Sequence, residues 1–207
     1  MYKTILLALV AVGLAACVTA TNTLPLEDIA TLRLAAVDVS FAPNVTIWWG
    51  DGERAFAASK GQPATESENL AKTPEGQAYL RNTIAAKLRT AVEQKLSPGL
   101  TGPRPVRANV VVKEVRIASA IQRIIIGGQH TMTADVTLVD AKTGAVLLPY
   151  AGQTSLAGAG QGLGGVLVDA ALLGDAMDRV IDGYAAQYAN WMLRRGAPFD
   201  VGSAERG

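Results

Sequence analysis

Three features of the 207-residue chain predict an α+β domain, with a mainly antiparallel sheet and two long helices packed on one face. Apolar residues recur every three or four positions in two segments, from Thr73 to Leu96 and again after Val166. Between these segments lie β-branched stretches in which apolar and polar residues alternate. Few aromatics and plentiful Ala, Val, Leu and Gly predict an aliphatic core. No internal repeat is present.

The chain opens with Lys3 as its one early charge, followed by an unbroken apolar run from Ile5 to Ala16. Twelve helical residues cover about 18 Å of a hydrocarbon layer roughly 30 Å thick, so the run is too short to span. A charged start, a short apolar stretch and small residues before the break are the layout of an export signal. Leu14-Ala15-Ala16-Cys17 resembles the bacterial lipobox. That resemblance implies signal peptidase cleavage between Ala16 and Cys17. It also implies acyl chains on the thiol of Cys17, the single cysteine of the chain, so residues 1–16 are read as a lipoprotein signal peptide. More than one acyl chain gives stable anchoring. With no second cysteine there is no disulfide, and the fold must hold by packing. Val18 stands where an Asp would resemble an inner-membrane retention signal, which favours the outer membrane.

Residues 17–30 read as the lipidated cysteine and a flexible tether, because "VTATNTLPLED" keeps no period. A single domain is expected over 31–195. Its first strand falls in "TLRLAAVDVSF", where Val37, Val39 and Phe41 alternate with Asp38 and Ser40. Residues 42–72 hold neither period for long and are expected to be largely irregular, with local helix near Glu66 to Ala71. Thr73-Pro74-Glu75 combines a cap, a proline in the first turn and an acid at the positive dipole end. The helix it starts carries Leu80, Ile84, Leu88, Val92 and Leu96 as one stripe and stops at Ser97-Pro98-Gly99.

Strands follow over 106–119 and, after a kink, 121–126. Met132, Ala134, Val136 and Leu138 then share one strand face, and Asp140 to Gly144 turns the chain into a hairpin with residues 145–150. Residues 155–165 read as a glycine-rich linker. The last helix, from Val166, places Met177, Ile181, Tyr184, Tyr188 and Trp191 on one stripe, with Arg194 and Arg195 at its negative end and Gly196 and Pro198 as its stop. Residues 196–207 are a tail.

Charge excludes some partners. Residues 1–16 carry only Lys3, so of 19 basic and 18 acidic residues the body keeps 18 of each. A neutral body argues against nucleic acid or anionic lipid as the main partner, since both demand a clustered positive surface. Gly160 to Gly165 matches G-x-G-x-x-G, but Asp182, the acid about 20 residues on, falls inside helix rather than at a strand tip, so no dinucleotide cofactor is expected. His130 has no second histidine and no ligand spacing around Asp135 or Asp140; a turn or cross-sheet partner is expected and no metal. No cofactor is predicted, and with neither a G-x-S-x-G elbow nor an S-x-x-K pair no enzyme is expected.

The segment Trp48-Trp49-Gly50-Asp51-Gly52-Glu53 is the candidate contact for a partner or ligand. Adjacent indoles can cover a sheet edge, or stack on a sugar or on a protein's apolar surface. Asp51 and Glu53 would suit glycan cleavage only if they faced one another across a cleft at about 5–9 Å.

Together the lipobox, "IWWGDG", "GGQHTMTADVTLVDAKTGAVL" and the Gly-rich approach to a final helix resemble a family of uncharacterised Gram-negative lipoproteins. In organisation they are similar to auxiliary lipoproteins of envelope transport and assembly. The resemblance implies a small α+β domain at the outer membrane that faces the periplasm and binds an envelope protein without catalysis. Two alternatives stand beside it: a protein that binds or cleaves cell-wall glycan through Trp48 to Glu53, and a structural homo-oligomer joined through its last helix.

Overall fold

The computed structural model describes residues 20–118, 130–157 and 175–195. Ala16, Cys17, the strand expected at 121–126, the motif at 160–165 and the tail from residue 196 lie outside these. The architecture is α+β: a four-stranded mixed sheet in the order β1-β2-β3-β4 carries two long helices on one face. After a short helix α1 (Leu26–Thr31), the chain forms β1 (Leu32–Trp49), α2 (Gly50–Ser59), a 3-10 turn at 64–66 and α3 (Ser67–Ala71). Then come α4 (Pro74–Leu96), β2 (Arg104–Ile117), β3 (His130–Asp140), β4 (Val146–Ala157) and the last helix α5 (Ala176–Met192). Among the described residues no helix is long and apolar enough to cross a membrane.

β1 runs far beyond the stretch in which alternation is visible. Its pairing with β2 skips between Phe41 and Thr46, where five steps of β1 match two of β2, from Val112 to Glu114. This bulge breaks the period-2 signal and accepts Pro43, which has no N–H to donate. The expectation of irregular chain over 42–72 therefore fails: those residues finish β1, form α2 and the 3-10 turn, and close with α3 where local helix was expected. A second surprise is direction. β1 pairs β2 in parallel, and α2 to α4 form the crossover; only β2, β3 and β4 make the expected antiparallel meander.

α4 follows its sequence signals closely. Thr73 Oγ1 accepts from Gly76 N at 3.1 Å, Pro74 opens the first turn, and the five-residue stripe from Leu80 to Leu96 is fully buried. Each such side chain contributes about 1.5–3 kcal/mol when buried. The stripe faces the inner side of the sheet, where Val106, Ala108, Val110 and Val112 alternate inward. Val115 and Ile117 would fall out of phase by one residue. A register shift between Val112 and Glu114 restores them to the core.

The turn after β3 is built as expected. Asp140 Oδ1 accepts from the N–H groups of Lys142 and Thr143, both at 3.0 Å, and Gly144 adopts φ +73°. These bonds, with an ion pair from Arg104 Nε to Oδ2 at 2.9 Å, hold the carboxyl well below its usual range, at about 2. β4 then continues through Ser155 and Leu156, residues expected to begin a linker. A bulge at Ala151-Gly152 hides the alternation there: Gly152 takes φ +69° and donates its N–H to Asp135 Oδ1 at 2.6 Å.

α5 begins at Ala176, capped by Asp175 Oδ1, which accepts from Met177 N at 2.8 Å; the expected earlier start falls largely outside the described residues. Met177, Ile181, Tyr184 and Tyr188 are buried as the spacing predicts. Tyr184 donates its hydroxyl to the Ala134 carbonyl at 2.7 Å, and Tyr188 and Trp191 pack their rings on Tyr150. Burial raises the Tyr150 hydroxyl to about 12. The helix stops at Met192, so Arg194 and Arg195 follow its last turn, with Arg194 at φ +51°.

Residues 20–30, the described part of the expected tether, lie against the body. Asn22 Nδ2 donates to the carbonyls of Trp191 and Met192 at 3.1 and 2.9 Å, Trp191 Nε1 donates to the Ala20 carbonyl at 2.5 Å, and Arg194 donates to the Asn22 carbonyl at 2.8 Å. Nothing in "VTATNTLPLED" signals this docking, because it depends on carbonyls at the end of a helix about 170 residues away.

Candidate functional site

The Trp48–Glu53 segment is where β1 ends and α2 begins. Strand alternation decides the fates of the two indoles: Trp49 turns inward and is 5% exposed, and Trp48 turns outward at 37%. Gly52 is set by the buried ring. A Cβ there would stand 2.3 Å from Trp49 Cε3, so only glycine lets α2 start so close to the indole.

The two carboxylates part company. Asp51 is tied to Arg54 one turn on. Glu53 points back into the fold, where its carboxylate accepts a hydrogen bond from the backbone of Trp49. Burial raises the Glu53 carboxyl despite that bond, and the charge of Glu68 adds to the rise. The condition set for glycan cleavage, that Asp51 and Glu53 face one another across a cleft, is not met. Two steps apart on a helix, the side chains project about 200° apart and do not face each other.

Glu53 lines a cleft of about 280 Å³ between the end of β1, α2 and α3. Trp48, Gly50, Arg54, Glu68 and Lys72 form much of its wall; Trp49 and Asp51 do not line it. Glu68 is exposed and pairs with Lys72 at 2.7 Å, one turn along α3, which lowers its carboxyl. Gln77 at the head of α4 closes the base by donating to the Ala71 carbonyl at 2.7 Å. The close approach of α3 and α4 again needs glycine, since a Cβ on Gly76 would meet the Leu70 carbonyl oxygen at 2.2 Å.

Sequence reasoning missed Arg54, Glu68 and Lys72 as wall residues. The signal was present in part: "SENLAK" sets Glu68 and Lys72 at the i, i+4 spacing of a helical ion pair. Its position against "GDGER" depends on the turn through residues 60–66, which has no period. The cleft thus offers one exposed indole, the half-buried Glu53 carboxyl, the Glu68–Lys72 ion pair and Arg54, which is paired with Asp51. That mixture can hold a partner's apolar side chain on Trp48 and pair its charges at the rim.

His130 is buried at the start of β3, opposite Ala157 on β4, a cross-sheet position. Among the described residues no group of three His, Cys, Asp or Glu side chains is placed to hold a metal. A larger groove of about 420 Å³ runs between α4 and α5. Lys87 lies in it and is paired with Asp178 at 2.5 Å. The groove is the seam between two packed helices, and Thr90, Gln94 and Asp182 line it beside that pair.

No protein-family model matches the chain, and no curated protein matches it. Among solved structures it is similar to a candidate lipoprotein from Caulobacter crescentus, with 17% identity over 53% of this chain and 83% of that one, at a TM-score of 0.30. It is also similar to a DUF330 protein from Xanthomonas campestris, with 12% identity over 85% and 90% of the two chains, at a TM-score of 0.38. A third similar structure is the PelC dodecamer from Paraburkholderia phytofirmans, with 15% identity over 78% and 92%, at a TM-score of 0.32.

Proposed function

We propose that the protein is a lipid-anchored envelope protein of the outer membrane that binds a partner protein through the Trp48 cleft and performs no catalysis. Leu14-Ala15-Ala16-Cys17 supports the anchor. One structural observation carries the binding role: Trp48 is a large indole left exposed beside a half-buried carboxyl in a concave site. Buried aromatic anchors of this kind dominate interface energetics.

The same geometry weighs against glycan cleavage. A glycosidase pair needs its two acids to face one another across the scissile bond. Asp51 is held by Arg54 and stands outside the cleft that Glu53 lines. Assembly through the last helix is also disfavoured, because its apolar stripe is already buried against β3, β4 and Tyr150.

The test pairs two variants in the native envelope. Cys17→Ser is expected to leave the protein unlipidated and free of membranes; unchanged mass and sedimentation would overturn the anchor. Trp48→Ala is expected to abolish co-purification of a specific envelope protein while the fold is retained. Glycan turnover lost in Glu53→Gln, with partners kept, would instead establish the enzyme.

A further inference from the structure

The docking of residues 20–24 fixes which end of the body can stand on the membrane. Cys17 precedes Ala20 by three residues. A fully extended chain spans at most about 3.3–3.6 Å per residue, so three residues reach about 10 Å whatever their conformation. From Ala20 onward the chain is held by the four hydrogen bonds to and from Trp191, Met192 and Arg194. Leu24 adds apolar contact with the core, and its N–H donates to Asn22 Oδ1 at 3.1 Å. No slack chain therefore remains between the acylated residue and the body.

We propose that the surface formed by Trp191, Arg194 and Arg195 lies on the phospholipid headgroups, with the cleft at the opposite end of the domain. The proposal rests on lipidation of Cys17, read above. A headgroup layer is about 5–7 Å thick on each side of the hydrocarbon, so a link of about 10 Å cannot carry this surface clear of it. Arg194 and Arg195 are both exposed there and supply cations for lipid phosphates.

α4 fixes the distance to the cleft. Its C-terminal end packs at this surface, since a Cβ on Gly99 would stand 2.5 Å from Leu193 Cδ1 and 2.8 Å from an Arg195 Nη. Its N-terminal end carries Gln77 in the cleft wall. α4 is 23 residues long, which at 1.5 Å each is about 35 Å. A partner would meet the cleft from the periplasmic side, clear of the lipid, and the acyl anchor would orient the body as well as retain it.

The test uses the full-length lipidated protein in vesicles of phosphatidylethanolamine and phosphatidylglycerol containing a headgroup-nitroxide lipid. A fluorophore is attached through Asn190→Cys, beside Trp191, or through Glu66→Cys, near the cleft; both side chains are exposed. Quenching is expected at 190 and absent at 66. A Gly/Ser spacer of about ten residues between Thr19 and Ala20, with a mean reach near 17 Å, is expected to relieve the quenching without loss of vesicle flotation. Equal quenching at the two sites in protein that floats and has the acylated mass would overturn the orientation alone. Self-crosslinking through position 190 would assign that face to a second copy and also overturn it. Failure to float, with no acylated mass, would remove the anchor reading and the orientation together.

Discussion

The two ends of α4 are built on different terms. At its C-terminal end, helix-terminal carbonyls, the Trp191 indole N–H and the Arg194 guanidinium all find partners in the docked N-terminal segment. The backbones there meet so closely that a Cβ on Gly102 would lie 2.2 Å from the Thr31 carbonyl. At its N-terminal end, Trp48 stays exposed, Glu53 is half-desolvated, and a concave space stands between α2 and α3. Local stability asks for the first arrangement and gains nothing from the second. The contrast teaches where the molecule has been left incomplete, and an incomplete surface is where a partner can contribute.

The sharpest way to break the docked end is Gly102→Ala. The new methyl meets backbone, which cannot rotate away, so a loss of about 2–4 kcal/mol in denaturant-monitored stability is expected. Gly52→Ala at the cleft end meets a side-chain ring instead. It is expected to cost less and to shift the Trp49 fluorescence, which Gly102→Ala leaves unchanged.

Trp48→Ala reverses the pattern. Partner binding is expected to weaken by about 30-fold, the equivalent of about 2 kcal/mol, with thermal stability nearly unchanged. Asn22→Ala removes two hydrogen bonds from helix-terminal carbonyls and is expected to cost about 1 kcal/mol of stability with no change in partner affinity. Titration calorimetry beside thermal melts separates the two variants.

pH separates the ends more gently. The Asp140 carboxyl, at the turn, is depressed from 3.8 to about 2, so its contribution is full above pH 3.8 and is lost as pH falls toward 2. The Asp140→Asn variant should melt below wild type at neutral pH and match it near pH 2. Glu53 has the opposite sign: burial raises its folded value above 4.5, so its ionised form destabilises the fold. Glu53→Gln should melt slightly above wild type at pH 7, and the difference should vanish as the pH falls below 4.5.

The sequence displayed α4 almost whole, because Thr73-Pro74-Glu75 and a stripe at four-residue spacing report local physics. The β3 to β4 turn was equally legible from Asp140 and Gly144. β1 beyond Phe41 was not, since its bulge around Pro43 erases the alternation that marks a strand. The same cause hid the last residues of β4 behind Gly152. Of the candidate site, Trp48 and Glu53 were legible as chemistry, whereas Arg54, Glu68 and Lys72 came into view only through the packing of α2 on α3. The docking of Asn22 had no local signal, because its partners are carbonyls at the far end of the chain.

The incomplete end is tested most directly by placing a photocrosslinking amino acid at position 48, and separately at position 190, in the acylated protein inside living cells. The account predicts one discrete protein adduct from 48 and lipid adducts from 190. The same protein adduct from both positions, or none from 48 at full expression, would contradict it.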